Sequence, residues 1–246
     1  MLTESVRPYN STFDGDPEVY DRLRTCWLNE RREAFISNRL TKYQLPTGTL
    51  VVEIGSGTGW LLNRLGRRFP ALRFLGFEPI AGYVEYARMN ALSNVTYLQT
   101  TIEDAGALPD APMVVLSNDV LHHVPSYAGA IQSISRFAAP RCRWLAIEPN
   151  CGNPYTFTKQ ALGYGEQNFW PGQFRTAAGD CGWELTGKGH LFLIPPTVRE
   201  PRGWMKTLEA KLDWIPCLAG GVHLEFVYNG SRIAARANRI IAAAHQ

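Results

Sequence analysis

The sequence predicts an α/β fold of the doubly wound, Rossmann-like type, with a mostly parallel seven-stranded sheet, helices on both faces and lid inserts. Short apolar strands alternate with helical patterns from Leu50 onward, which is typical of a parallel sheet buried on both faces. A glycine-rich turn follows the first strand, in the stretch VVEIGSGTGWLLNRL. In open sheets of this kind, ligands bind beyond the carboxyl ends of the strands. The turn is therefore the first place to look for a binding site.

The chain length favours one elaborated domain over two independent ones. With 246 residues and 45% hydrophobic residues, the chain can bury a full core. We expect a single domain over residues 1–246. It divides into an N-terminal helical segment (1–48), a cofactor-binding core (49–150) and a substrate and lid part with the final strands (151–246).

The elements follow in order along the chain. Asp16 before Pro17 resembles a helix N-cap with proline at the first helical position, so one or two helices are predicted before the sheet. A strand over Leu50–Ile54 leads into a helix that ends near Arg68. Further strands are predicted at LRFLGFE, VTYLQ, MVVLSN and RWLAIE, with helices around AGYVEYARMNAL and from about Tyr127 to Phe137.

The last hundred residues are less regular. Two irregular spans, 151–175 and 195–221, are predicted to form lids over a binding face, because long loops in compact domains are usually functional or disordered. Large aromatic residues in both spans favour order. Between the spans we expect a short helix and a strand, then a final strand at VHLEFVYN and a closing Arg/Ala-rich helix.

Charge and composition argue against several classes of partner and binding site. The net charge is +3 and the arginines are scattered among acids, so no nucleic-acid surface is predicted. No apolar run approaches a membrane span, and the first ten residues contain no signal-like apolar region. We expect a cytoplasmic protein. Five cysteines without a C-x-x-C pair argue against a disulfide framework and against a metal site.

The glycine turn selects between two classes of cofactor. The dinucleotide fingerprint would place its third glycine at position 60, which is Trp60. The first strand also carries an acid, Glu53, which suits a cofactor with an ammonium group better than a diphosphate. A cationic ligand is therefore favoured, and an NAD-dependent oxidoreductase remains an alternative.

The stretch EIGSGTGW resembles motif I of the class I S-adenosylmethionine-dependent methyltransferases, and the resemblance covers roughly Leu50 to Glu148 in the expected order. It implies S-adenosyl-L-methionine as cofactor, with its methionine portion against the glycine loop. Under this resemblance the loop residues that bind the cofactor are Glu53, Gly55, Ser56, Gly57 and Gly59.

Three later segments extend the resemblance. Glu78 lies 19 residues after Gly59, where the family places the acid that accepts both ribose hydroxyls, and Pro79 ends its strand. Asn118, after the fourth strand, is implied at the methionine end. The residues implied at the adenine edge are Thr101, Ile102 and Glu103, although Thr101 stands where the family often has Asp.

Methyl transfer to a hydroxyl needs a base near the methyl group. His122 and His123 follow the fourth strand, and His122 lies one helical turn after Asn118. Small-molecule O-methyltransferases of the ubiquinone and glycoside type resemble this arrangement, with an acid at the end of the fifth strand, here Glu148. His122 is the predicted base and Glu148 its orienting partner or a second base. His123 is a further candidate, and a structural role is the alternative for each of the three.

The segment after the fifth strand is where this family builds its acceptor pocket. Its aromatic residues are predicted to line that pocket, with loop packing as the alternative, and they are Tyr155, Phe157, Tyr164, Phe169 and Trp170. The segments EPNCGNP and GHLFLIPP look like those of bacterial methyltransferases that act on lipids, glycans or secondary metabolites.

The function predicted from the sequence is O-methylation of a small-molecule hydroxyl with S-adenosylmethionine. N- or C-methylation is the first alternative, since an acidic pair could also hold a protonated amine. A non-catalytic cofactor-binding protein is the second. The identity of the acceptor and the oligomeric state stay open.

Overall fold

A computed structural model describes residues 15–106, 108, 110–124, 126–161 and 168–230. Within these residues the helices are α1 (Pro17–Arg24), α2 (Trp27–Tyr43), α3 (Trp60–Arg68), α4 (Ala81–Met89), α5 (Tyr127–Phe137), α6 (Pro154–Ala161), α7 (Pro171–Asp180) and α8 (Gly203–Leu212). The strands are β1 (Leu50–Ile54), β2 (Arg73–Glu78), β3 (Val95–Gln99), β4 (Val114–Asn118), β5 (Arg143–Pro149), β6 (Trp183–Leu191) and β7 (Gly221–Tyr228).

The seven strands form one sheet in the order β3-β2-β1-β4-β5-β7-β6. Strands β1 to β5 pair in parallel, and β7 pairs antiparallel with both β5 and β6. This confirms the predicted doubly wound fold with seven strands. The chain reverses between β1 and β4, so the carboxyl ends of these two central strands flank a crevice.

Two apolar clusters cover the two faces of the sheet. Successive residues of β1 point to opposite faces, so Val52 joins one cluster with Trp144, and Val51 joins the other with Leu62. Every residue of β1 and of β4 is buried. These strands, covered on both faces, begin with apolar residues on both sides of the sheet rather than alternating, and their polar residues stand near their carboxyl ends.

The predicted cap of the first helix is confirmed. The Asp16 side chain accepts a hydrogen bond from the Glu18 N–H at 2.9 Å, and Pro17 occupies the first turn of α1. Helix α1 buries no residue fully. It contacts the glycine turn, where the Thr58 hydroxyl donates to Asp21 Oδ1 at 2.8 Å, and it packs on α4, where Tyr20 stacks on Tyr83 with ring centroids 4.8 Å apart.

The two irregular spans contain more helix than expected. The second span carries α8, whose only buried residue is Glu209. The apolar side chains Trp204 and Leu208 of this helix are exposed, so α8 adds no apolar stripe to the core. In the first span, Phe169 is fully buried in the core cluster around Trp144.

Two sequence expectations lie outside the described residues: the closing Arg/Ala-rich helix and the pocket role of Tyr164. The five cysteines are free thiols. Among the helices that the structure describes, none combines the length and the apolar character that crossing a bilayer requires.

Candidate active site

The glycine turn after β1 adopts backbone angles that favour glycine. Gly55, Gly57 and Gly59 have φ values of 69°, 54° and 80°, in the left-handed region that L side chains rarely adopt. A Cβ atom on Gly55 would also lie 2.5 Å from Val120 Cγ2, and one on Gly59 2.5 Å from Tyr97 Oη. The turn therefore requires glycine both for its conformation and for its close packing.

Glu78 ties the turn to the end of β2. Its carboxylate is 6% exposed and accepts hydrogen bonds from Gly57 N at 2.8 Å and Ile80 N at 3.0 Å. Burial raises the pKa of Glu78, and these two amide donors oppose the rise. A carboxylate offers about four acceptor positions. Two remain for a ligand, as two neighbouring ribose hydroxyls require.

A cavity opens beside this carboxylate at the carboxyl edge of the sheet. Its wall includes the apolar side chains of Ile54, Phe77 and Val124, which suit a flat ring system. The predicted cofactor residues that line it are Gly55, Gly57, Glu78, Pro79, Thr101, Ile102 and Glu103. Within it, the Thr101 hydroxyl donates to Asp104 Oδ2 at 2.9 Å.

The remaining predicted cofactor residues lie at or near a small adjoining cavity, which Glu53, Ser56 and Asn118 line. Gly59 is the N-cap of α3 next to it. Three side-chain atoms are buried there without a hydrogen-bond partner among the described residues: Glu53 Oε2, Ser56 Oγ and Asn118 Oδ1. Unpaired buried acceptors are costly, so this corner fits the ammonium end of a ligand. Burial raises the pKa of Glu53 to about 8, against the opposing charge of Arg24.

Sequence reasoning missed two residues of this site. Tyr20 and Arg24 of α1 line both the main cavity and its small extension. The Arg24 guanidinium lies over the Tyr20 ring, 5.2 Å from the centroid, and it supplies a cation for a ligand carboxylate. The available signal was their spacing of one helical turn, which puts both on one face of α1.

His122 and Glu148 are in contact across the ends of β4 and β5. His122 Nδ1 lies 2.8 Å from Glu148 Oε2. The other oxygen, Oε1, accepts hydrogen bonds from Val120 N at 3.1 Å and Leu121 N at 2.9 Å. A carboxylate beside Nδ1 favours the neutral tautomer whose acceptor nitrogen is Nε2.

The two adjacent histidines have different surroundings. The His122 residue is 4% exposed, and His123 lines the main cavity. The rings contact each other, with centroids 3.9 Å apart and planes at 43°. His123 thus lies between the cavity and the buried His122–Glu148 pair.

Asp119, which sequence reasoning also missed, completes this edge. It follows β4 with φ 55°, a conformation that Asp tolerates better than most residues. Its carboxylate pairs with the Arg32 guanidinium, Nη2 to Oδ2, at 2.5 Å. Burial alone would raise the pKa of Asp119, but the charges of Arg32, His122 and Arg24 outweigh it and lower the pKa. The sequence signal for Asp119 was its position directly after β4, at the edge of the sheet where ligands bind.

The comparisons with known proteins bear on the family and the fold. The sequence pattern that defines the methyltransferase domain family matches residues 51–141. The chain carries a methyltransferase domain. Its fold is that of class I, and the protein is an S-adenosylmethionine-dependent methyltransferase. The expected family and cofactor are thereby confirmed, and the oxidoreductase and non-catalytic alternatives are not supported.

Solved structures of methyltransferases resemble the fold. A geranyl diphosphate C-methyltransferase from Streptomyces coelicolor A3(2) superposes with a TM-score of 0.63 at 17% identity, covering 93% of this chain and 92% of its own. The N-methyltransferase NodS from Bradyrhizobium japonicum WM9 superposes with a TM-score of 0.62 at 12% identity, covering 90% of this chain and 99% of its own. A methyltransferase from Mesorhizobium loti superposes with a TM-score of 0.57 at 15% identity, covering 77% of this chain and 96% of its own. No curated protein matches the chain.

The methyltransferase has a second cavity of about 520 Å³ next to the cofactor cavity. Tyr20, Arg24 and Asp119 line both cavities and therefore mark their junction. Away from the junction the wall includes Leu28, Tyr155, Phe192, Ile194, Pro195 and Pro196, together with polar side chains such as Arg32 and Asn153. Of the five aromatic residues predicted for an acceptor pocket, Tyr155 lines this cavity.

Proposed function

We propose that the enzyme transfers the methyl group of S-adenosylmethionine to a hydroxyl of a small molecule, such as a secondary metabolite, a glycoside or a lipid-linked acceptor. The observation that supports a hydroxyl is the buried His122–Glu148 pair in contact with His123 at the cavity wall. Removing a hydroxyl proton needs a base, and imidazole is the commonest one near neutral pH. We also propose a cytoplasmic location, consistent with the five free thiols.

The proposed cofactor contacts follow from the donor and acceptor sets. The Glu78 carboxylate accepts hydrogen bonds from the two ribose hydroxyls. The adenine is bordered by Thr101, Ile102 and Glu103. At the other end, Arg24 binds the carboxylate of the methionine portion. The loop glycines with Glu53, Ser56 and Asn118 surround its ammonium group. When bound, the cofactor supplies an electrophilic methyl on a sulfonium.

The proposed acceptor site is the cavity of about 520 Å³, a size typical of small-molecule sites. His123 contacts the acceptor hydroxyl and takes its proton. His122 positions His123 through their ring contact, and Glu148 fixes the orientation of His122. This division keeps the three predicted catalytic residues in one unit, with His123 as the member at the cavity wall.

Amine methylation is the second candidate, and Asp119 is the observation that favours it. Its carboxylate lies at the junction of the two cavities, where it could hold a protonated amine beside the methyl donor. An acceptor bound in this way loses its ammonium proton to water before its nitrogen lone pair attacks the methyl group. Asp119 would then orient the acceptor, and the histidines would be less important for the rate.

A labelling experiment separates these functions. The enzyme is incubated with cofactor carrying a ¹³C-methyl group and with panels of alcohols, phenols, amines and carbon nucleophiles. The carbon chemical shift of the product methyl identifies the atom to which it is attached. We expect an O-methyl product. An N- or C-methyl product with every accepted compound would overturn O-methylation while retaining the methyltransferase.

A further inference from the structure

A surface beside the acceptor cavity combines exposed apolar and basic side chains. Trp204 and Trp214 are 63% and 67% exposed, and Leu208 and Leu218 are 42% and 39% exposed. Together with Lys211, these four residues are called the α8 surface below. Two tryptophans with most of their area in water are unusual, since large aromatic side chains are usually mostly buried.

The orientation of α8 is fixed from its inner side. Glu209 is 1% exposed and accepts hydrogen bonds from Leu193 N and Ile194 N, both at 3.0 Å. Trp204, Leu208 and Lys211 follow the i, i+4, i+7 spacing of one helical face. That face lies opposite Glu209 and is presented to solvent.

The segment that carries this face has more exposed basic than acidic residues, although one of the basic residues, Lys206, lies over the Trp27 ring, away from the face. The exposed basic residues between positions 199 and 218 are Arg199, Arg202, Lys206 and Lys211, and the exposed acid in that segment is Glu200. The other two acids are directed inward: Arg31 lies 3.3 Å from Glu209 and 2.9 Å from Asp213. An anionic surface would therefore be attracted to the segment.

Both ends of this segment adjoin the wall of the acceptor cavity. Pro195 and Pro196, just before it, line the cavity. At the other end, Leu218 O accepts a hydrogen bond from the Asn153 side chain at 2.8 Å. Asn153 also lines the cavity, as does Tyr155, which is 56% exposed. The α8 surface and this cavity wall are thus neighbours.

We propose that the α8 surface docks on an anionic membrane surface. Tryptophan is favoured at membrane interfaces because its ring is apolar and its N–H is polar. Lysine on the same face suits lipid phosphates, whereas lysine is depleted in protein–protein interfaces. The helix would lie in the plane of the interface without crossing it. Docking is independent of which acceptor atom is methylated, and it would bring the acceptor cavity close to lipid-borne substrates.

Sedimentation with lipid vesicles tests the proposal. The full chain is mixed with vesicles of phosphatidylcholine alone or of phosphatidylcholine and phosphatidylglycerol in equal parts. We expect binding to the anionic vesicles that weakens as salt is raised. Trp204→Ala/Trp214→Ala should weaken it at least about tenfold, because the apolar anchor is lost. Arg202→Glu/Lys211→Glu should also weaken it at least about tenfold.

Matched controls keep the result specific. Trp170→Ala removes another exposed tryptophan, and Arg67→Glu/Arg68→Glu reverses two exposed charges at the end of α3; both should bind vesicles like the wild type. All variants should keep the thermal midpoint and the affinity for S-adenosylhomocysteine. Wild-type protein that stays in the supernatant with anionic vesicles would overturn the proposal. So would α8-surface variants that bind normally, or self-association lost in those variants without any vesicle binding.

Discussion

His122 Nδ1 lies 2.8 Å from Glu148 Oε2, so the turn after β4 is joined to the end of β5 by a buried contact. The second oxygen of Glu148 binds the amides of Val120 and Leu121. One carboxylate therefore fixes both the backbone of the turn and the orientation of the imidazole. Residues that act as such a unit are not additive when they are substituted.

The first prediction concerns this unit. With an accepted alcohol, His123→Ala should lower kcat by about 10² to 10⁴, the usual contribution of a positioned base. His122→Ala should also lower kcat, because the ring contact that positions His123 is lost. Adding Glu148→Gln to His122→Ala should cost little more.

The pH dependence of kcat distinguishes catalysis from stability. In the wild type kcat should fall on the acidic side, where the imidazole is protonated. In His123→Ala this fall should disappear, whereas affinity for S-adenosylhomocysteine should stay unchanged. A His123→Ala enzyme with normal kcat and an unaltered profile would remove the histidine from the proton route and favour an amine acceptor at Asp119.

The second prediction follows from the buried carboxyl of Glu53. Its pKa is raised to about 8, so without ligand it holds a proton at neutral pH. A cationic ligand favours the carboxylate, so cofactor binding should release up to about one proton and strengthen as pH rises toward 8. Calorimetric titrations in buffers of different ionisation enthalpy count the proton. Cofactor binding to Glu53→Gln should release no proton. Equal proton release by the variant and the wild type would contradict the assignment of the proton to Glu53.

The same group makes the stability of the unliganded protein depend on pH. Because the pKa of Glu53 is higher in the folded protein than its ordinary 4.5, its stabilising contribution is fully present below that value. It is lost as pH rises through about 8. The free energy of unfolding of the wild type should therefore decrease relative to Glu53→Gln across this window. Parallel urea unfolding curves for the two proteins at each pH would speak against the shift.

The third prediction concerns Arg24. Arg24→Met should weaken the binding of S-adenosylhomocysteine by about 1.5 to 3 kcal/mol, the range for a hydrogen bond to a charged group. Arg22→Met is the matched control, because Arg22 lies on the same helix and pairs with exposed Glu18 at 3.9 Å. The control should bind normally. Equal affinities for the Arg24 variant and the wild type would place the ligand carboxylate elsewhere.

Much of the core could be predicted because its signals are local. Short apolar runs marked β1 and β4, and the three glycines marked the turn. Helix α5 begins and ends at the predicted residues, Tyr127 and Phe137. Ser126 before it accepts a hydrogen bond from Gly129 N at 3.4 Å, as an N-cap does.

The parts that sequence reasoning missed depend on contacts distant in the chain. Arg24 reaches the site because Tyr20 of α1 packs on Tyr83 of α4. Asp119 is held by Arg32 of α2. The backbone at Asp119, three residues before His122, is left-handed, which no periodic pattern indicates. Helix α8 buries a carboxylate, Glu209, whose partners Trp27 and Arg31 are distant in the chain.

The most direct test of the cofactor site is calorimetric titration of S-adenosylhomocysteine into the wild type, Glu78→Ala and Glu85→Ala, where Glu85 is an exposed acid of α4. Glu78→Ala should lose about 1.5 to 3 kcal/mol of binding free energy because two ribose hydroxyls lose a charged acceptor. Glu85→Ala should match the wild type. Unchanged affinity in Glu78→Ala, or tighter binding of NADH than of S-adenosylhomocysteine by the wild type, would contradict the proposed site.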